Sequence, residues 1–159
     1  MTRTELEQAL TAYAAGLEAE LGLLRHLQRL AQIQHTATRE PNSTLQAVNK
    51  LNDERERLMA SLVRVEHEIK PLRLAIHHQH RDATGLPAYD QVLALHRQAS
   101  DLVATIMASD RETVQAIREA EVARRFVAQT LEVGEATLAA YRRVVTPEVA
   151  SAALVNRRG

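Results

Sequence analysis

The chain has 159 residues, enough for one ordinary domain, and its 20 basic residues are balanced by 20 acidic ones. Only 3% of the residues are aromatic, so Leu, Val, Ile and Ala must build the core. The lack of cysteine excludes disulfides and thiolate metal sites, and the balanced charge is unlike that of a nucleic-acid binder. Five glycines and four prolines are too few for a many-stranded β fold.

The first predicted helix covers residues 4–35. Thr4 and Glu7 have the spacing of a capping box, in which side chain and backbone of the two residues bond reciprocally. Apolar residues then recur mostly at spacings of three and four, which is typical of a helix that packs along one seam. Glu20 interrupts this seam. The seam residues are Leu6, Leu10, Tyr13, Leu17, Leu24, Leu27 and Ala31.

The second predicted helix covers residues 43–79 and follows a turn marked by Pro41 and Asn42. Pro71 lies inside it and predicts a kink, because proline removes one backbone hydrogen bond and crowds the preceding turn. The seam consists of Val48, Arg55, Leu58, Leu62, Val65, Ile69, Leu72 and Ile76.

The third predicted helix covers residues 87–145 and begins after a break marked by Gly85, with Pro87 well placed at a helix N-terminus. Pro147 predicts its end. Its seam consists of Val92, Leu95, Ala99, Leu102, Ile106, Ser109, Thr113, Ile117, Ala120, Val127, Leu131, Leu138 and Tyr141.

Two short connections place consecutive helices antiparallel. The predicted fold is therefore all-α, with three long antiparallel helices forming an elongated, coiled-coil-like bundle. Residues 1–149 form the predicted domain, and residues 150–159 a frayed or short helical tail.

No residue pattern predicts a catalytic or metal site. His67 and Glu68 begin a zinc-protease motif, but Pro71 occupies the place of its second histidine. His77, His78 and His80 are either exposed residues near a helix C-terminus or weak metal ligands. We expect a protein that is not an enzyme and has no cofactor.

The chain has no run that approaches a membrane span, and its first residues lack the apolar core of a signal peptide. These features predict a cytoplasmic protein without a transmembrane helix.

The third helix is longer than its two partners, which predicts a partner-binding surface near its end. Val127, Leu131, Leu138 and Tyr141 lie on one face there, and Arg142 beside them could bind acidic groups of a partner. The alternative is a bend near Gly134 that folds the end back and buries the same stripe.

Three segments carry a likeness to a known family. Residues 19–32 form the leucine-rich end of the first helix, residues 45–73 combine leucines with acidic–arginine pairs, and residues 108–143 include a late Gly and Tyr. With these segments the chain resembles the flagellar export chaperones of the FlgN and FliT type. The asparagine that is frequent in that family's last helix is missing, and Asp110 is the nearest residue.

The resemblance implies a cytosolic chaperone of bacterial flagellum biogenesis and type III protein export. Such a protein would bind the amphipathic C-terminal region of a hook–filament junction or cap protein, prevent its early assembly and deliver it to the export gate. It would be a monomer or weak homodimer, without chemistry or cofactor. A coiled-coil scaffold or secretion-apparatus stalk, which would be a stable oligomer by itself, is the main alternative. A metal-dependent bundle enzyme and a nucleic-acid binder with salt-sensitive affinity are further ones.

Overall fold

The computed structural model describes residues 1–40, 42–43 and 45–156, with the side chains of Leu45 and of residues 141–156 outside the description. It confirms the all-α prediction. Four helices are described: α1 (Arg3–Arg39), α2 (Leu45–His78), the single turn α3 (His80–Ala83) and α4 (Pro87–Asn156). No strand occurs in the described ranges.

The chain divides into two compact units, Met1–Ala116 and the part from Ile117 onward. The predicted boundary between the domain, residues 1–149, and the tail, residues 150–159, stays a prediction. The first unit contains α1, α2, α3 and the first 30 residues of α4, from Pro87 to Ala116.

Contacts between side chains fix the directions of the long helices in the first unit. Gln34, near the end of α1, donates a hydrogen bond to Asn52 near the start of α2 (2.9 Å). Tyr13, near the start of α1, lies 2.6 Å from the imidazole of His96 near the start of α4. Helix α2 is therefore antiparallel to both α1 and α4, which confirms the predicted arrangement.

Helix α1 supplies most of the core. Its buried residues are Leu6, Leu10, Tyr13, Ala14, Leu17, Leu21, Leu24, Leu27, Leu30 and Ala31. Ile69 and Ile76 of α2 and Val92, Leu95 and Ile106 of α4 pack against them. The end of the core is closed by Ala83 of α3 and by Leu86.

Gly16 is required by the close approach of α1 and α2. A Cβ at this position would collide with the side chain of Ile69. The glycine weakens the helix by about 1 kcal/mol relative to alanine, but it lets Ile69 enter the core.

The N-cap of α1 lies two residues before the predicted one. Thr2, not Thr4, is the N-cap: its Oγ1 accepts a hydrogen bond from the Glu5 backbone N–H, and the Glu5 carboxylate accepts one from Thr2. The prediction failed because Thr2 and Glu5 have the same spacing as Thr4 and Glu7. Glu7 instead forms an ion pair with Arg3, 3.1 Å apart.

Two prolines, Pro71 and Pro147, lie in the interior of helices. Helix α2 runs through Pro71. Helix α4 runs through Pro147 to Asn156, so the prediction that Pro147 ends the third helix is wrong. A proline removes only one backbone hydrogen bond, which a long helix can lose without ending. The predicted tail, residues 150–159, is helical as far as Asn156, and residues 157–159 lie outside the described chain.

Candidate partner-binding surface on helix α4

The predicted surface residues with described side chains are all exposed. The exposed fraction is 56% for Val127, 65% for Leu131 and 69% for Leu138. Helix α4 continues through Gly134 without interruption, and the stripe that the alternative would bury is exposed. The side chains of Tyr141 and Arg142 lie outside the description, and their predicted role stays a prediction.

A second apolar ridge, which the sequence reasoning missed, lies on the same segment. Val122, Phe126 and Val133 are exposed by 66–69%. With about 100° per residue, these three side chains fall within about 40° of one another. The first ridge, formed by Val127, Leu131 and Leu138, lies about 140° away around the helix. The missed signal is a second line of apolar residues at three- and four-residue spacing beside the first.

Small side chains lie between the two ridges. At these positions the helix carries Ala123, Thr130, Gly134 and Thr137, which leave a shallow trough. We call the two ridges together the apolar surface, namely Val122, Phe126, Val127, Leu131, Val133 and Leu138. It covers about half of the helix circumference, wider than the stripe that one helix needs for packing.

Charged residues occupy mainly the other half of the segment. There the helix carries Arg118, Glu121, Arg125, Glu132 and Glu135. Arg124 lies at the border of this half, beside Leu131, and Glu119 alone lies between the ridges. The segment 117–140 is therefore amphipathic although it contains no buried residue.

Within the first unit, the polar residues of the α4 interface are paired. Arg55 of α2 donates two hydrogen bonds to the carboxylate of Asp110, each 2.7 Å long. Gln34 of α1 accepts a third from the same guanidinium (2.8 Å). The hydrogen bonds to Asp110 raise the pKa of Arg55. Arg55, which the sequence pattern places in the α2 seam, is thus hydrogen-bonded to one residue of α1 and one residue of α4.

A second cluster of polar residues in the first unit surrounds Glu20. Burial is the largest cause that raises the pKa of Glu20 to about 7, and a hydrogen bond with Glu66 is the second. Arg73 forms an ion pair with Glu66 (2.6 Å), and this contact lowers the pKa of Glu66. Below about pH 7 Glu20 therefore keeps its proton while Glu66 is ionised, and Glu20 interrupts the seam because it has a partner across the interface.

Two rings border this group. Burial raises the pKa of Tyr13 and lowers the pKa of His96, and the two side chains are hydrogen-bonded. The arrangement holds the helices in register, since each polar group has a partner on another helix.

The histidines near the end of α2 are not gathered at one point. The His80 imidazole lies 3.0 Å from the Tyr89 hydroxyl, whereas His77 and His78 contact each other edge to face. Among the described residues, no three or more His, Asp or Glu side chains are placed to hold a metal ion. No described helix has a stretch that is long and apolar enough to cross a membrane.

Comparisons with protein-family models, with curated proteins and with solved structures returned no match for this chain. Its function must therefore be argued from its own surface.

Proposed function

We propose that this protein is a cytosolic, non-enzymatic chaperone of flagellar export. It binds an amphipathic C-terminal helix of a hook–filament junction or cap protein on the apolar surface of α4, keeps that helix from assembling and delivers it to the export gate. The resemblance of the sequence to flagellar export chaperones supports the role in export. The exposed apolar surface supports the location of the binding site.

The observation that carries the proposal is the exposure of six large apolar side chains on 17 consecutive residues, Val122 to Leu138. Single exposed apolar residues are common, but a contiguous set with a polar opposite face is typical of a partner-binding site. A partner helix with heptad-spaced apolar residues fits such a surface, as in other helix-in-groove complexes. The terminal region of a self-assembling filament protein has this amphipathic character and needs cover before assembly.

The test is the affinity of the full chain for C-terminal segments of hook–filament junction and cap proteins from the same genome. The double variant Leu131→Ser/Leu138→Ser should lower this affinity at least about tenfold, which corresponds to about 1.4 kcal/mol. The melting temperature should hardly change, because both residues are exposed.

A matched control is Val63→Ser/Leu74→Ser on α2, whose residues are also exposed, by 66% and 49%. This variant should bind the client segment like the native chain. Equal loss of affinity in both variants, or a collapse of the melting temperature in the α4 variant, would contradict the proposal.

The scaffold alternative differs in self-association. By our proposal, light scattering of the purified chain gives a monomer or weak homodimer, and the addition of client gives a heterodimer. A stable oligomer that the α4 double variant dissociates would favour the scaffold instead.

A further inference from the structure

Arg124 interrupts the first apolar ridge with a charge. It lies exactly one heptad before Leu131 and one heptad after Ile117, so these residues share one line along α4. Ala120 and Val127 lie beside the line. Arg124 is exposed and forms no hydrogen bond or ion pair with any described residue. A helix that packs on Leu131 and Leu138 therefore brings some of its residues close to this guanidinium.

In the first unit the same heptad line follows the border of the α4 interface. Going back along α4, the line passes through Asp110, Val103 and His96. His96 and Val103 are exposed, and Asp110 is half-buried. Asp110 is nevertheless paired with Arg55 of α2, and His96 is hydrogen-bonded to Tyr13 of α1. A charged group at such a border thus pairs with a residue of the neighbouring helix, and a bidentate arginine–carboxylate contact combines charge attraction with two hydrogen bonds.

We propose that the helix bound to this surface carries an Asp or Glu among its apolar residues, opposite Arg124. The pair would repeat the Arg55–Asp110 contact with the charges exchanged between the helices. Glu121 and Glu135 flank the same line on its polar side. Lys or Arg residues beside the partner's apolar stripe complement them. This inference rests on the proposed function and defines the chemistry of the client helix.

A second copy of the chain does not fit this requirement. In a parallel, in-register pair each residue of the heptad line packs against the same residue of the second copy, so Arg124 lies against Arg124. In the antiparallel register that packs Val127 on Leu131, Glu121 comes beside Glu135 of the second copy. Both arrangements bring like charges together at the interface. These two arrangements disfavour a second copy, and the partner that complements Arg124 is a different helix with an acidic residue in its apolar stripe.

The probe is a set of three synthetic amphipathic peptides with leucines at heptad spacing and lysines at the flanks. They differ only at one central position of the apolar stripe, which is Glu, Gln or Arg. Binding to the full chain is measured by fluorescence anisotropy. We expect the Glu peptide to bind at least about tenfold more tightly than the Arg peptide, with the Gln peptide between them.

Two variants of the chain complete the design. Arg124→Glu should reverse the order of the Glu and Arg peptides. Arg125→Glu makes the same charge change on the next residue, on the polar half of the helix, and should leave the order unchanged. Both side chains are exposed, so both variants should keep the native melting temperature.

The outcomes separate this inference from the proposed function. If the peptides bind, and Leu131→Ser/Leu138→Ser abolishes binding, but Arg124→Glu leaves the preference unchanged, the surface is right and the acidic partner residue is wrong. If Arg124→Glu and Arg125→Glu have equal effects, general electrostatics explains them and the inference is also wrong. If no peptide binds, or binding ignores the Leu131→Ser/Leu138→Ser change, the binding surface itself is overturned.

Discussion

The part of helix α4 in the first unit has a buried apolar face, whereas residues 117–140 in the second unit are all exposed. Between Pro87 and Ala116 one apolar face of the helix, with Val92, Leu95 and Ile106, is buried in the core. From Ile117 to Ala140 the helix has apolar residues of the same kind, yet every one of them is exposed. The two regions differ in what packs against the helix, not in their composition. Apolar residues at helical spacing therefore indicate that a helix packs against another segment. Only the burial of the side chains shows whether that segment belongs to the same chain.

The largest expected difference between the regions is the cost of removing a leucine. Leu17 is 1% exposed in the main core, so Leu17→Ala should lower the free energy of unfolding by about 3–5 kcal/mol through cavity formation. Chemical denaturation measures this cost. A cost below about 1 kcal/mol would mean that the three helices of the first unit do not share a close-packed core.

The covered interface should also depend on its polar pair. Arg55→Ala leaves the Asp110 carboxylate without its two donors and should cost about 1–3 kcal/mol in denaturation experiments. Replacing both residues with apolar ones, as in Arg55→Met/Asp110→Leu, should restore most of the loss, because no unpaired charge remains. If the double variant were as unstable as the single one, the arginine would act through packing rather than through its ion pair.

A smaller effect should appear in the pH dependence of stability. Because the pKa of Glu20 is raised from 4.5 to about 7 in the folded chain, the folded state holds more protons than the unfolded state in this interval. The contribution of Glu20 to the free energy of unfolding therefore falls as the pH rises from about 4.5 to about 7. Glu20→Gln keeps a donor for Glu66 but does not ionise.

The difference between the native chain and Glu20→Gln isolates this contribution from that of His96, whose lowered pKa acts in the opposite direction. Near pH 5 the two proteins should unfold at similar denaturant concentrations, and by pH 8 the variant should be the more stable one. Parallel stability curves across this range would show that the pKa of Glu20 is not raised in the folded chain.

The smallest effect is expected in residues 117–140. Leu131→Ala should change the free energy of unfolding by less than about 0.5 kcal/mol, since the side chain is exposed. A loss comparable to that of Leu17→Ala in the same denaturation assay would mean that the chain itself buries Leu131.

The spacing of apolar residues was enough to predict the three long helices, because heptad periodicity is a local property of the sequence. The single turn α3 was missed, since four residues are too few to show a period. Their ends were harder to place. Two capping boxes of identical spacing are possible at the start of α1. Helix α4 continues past Pro147, where the sequence predicted its end. The partner of Glu20 could not be predicted, because it depends on the register between α1 and α2. For the surface, one seam predicted Leu131 and Leu138, but reading only one seam missed Phe126 and its ridge.

The most direct test of the account is hydrogen–deuterium exchange of the full chain, alone and with the C-terminal segment of a hook–filament junction or cap protein. Alone, the amides of residues 117–140 should exchange much faster than those of the buried positions in α1, because all residues from 117 to 140 are exposed. With the client, residues 117–140 should become protected while the first unit changes little. Protection confined to α1 and α2, with no change in residues 117–140, would contradict the claim that this part of α4 is the binding surface.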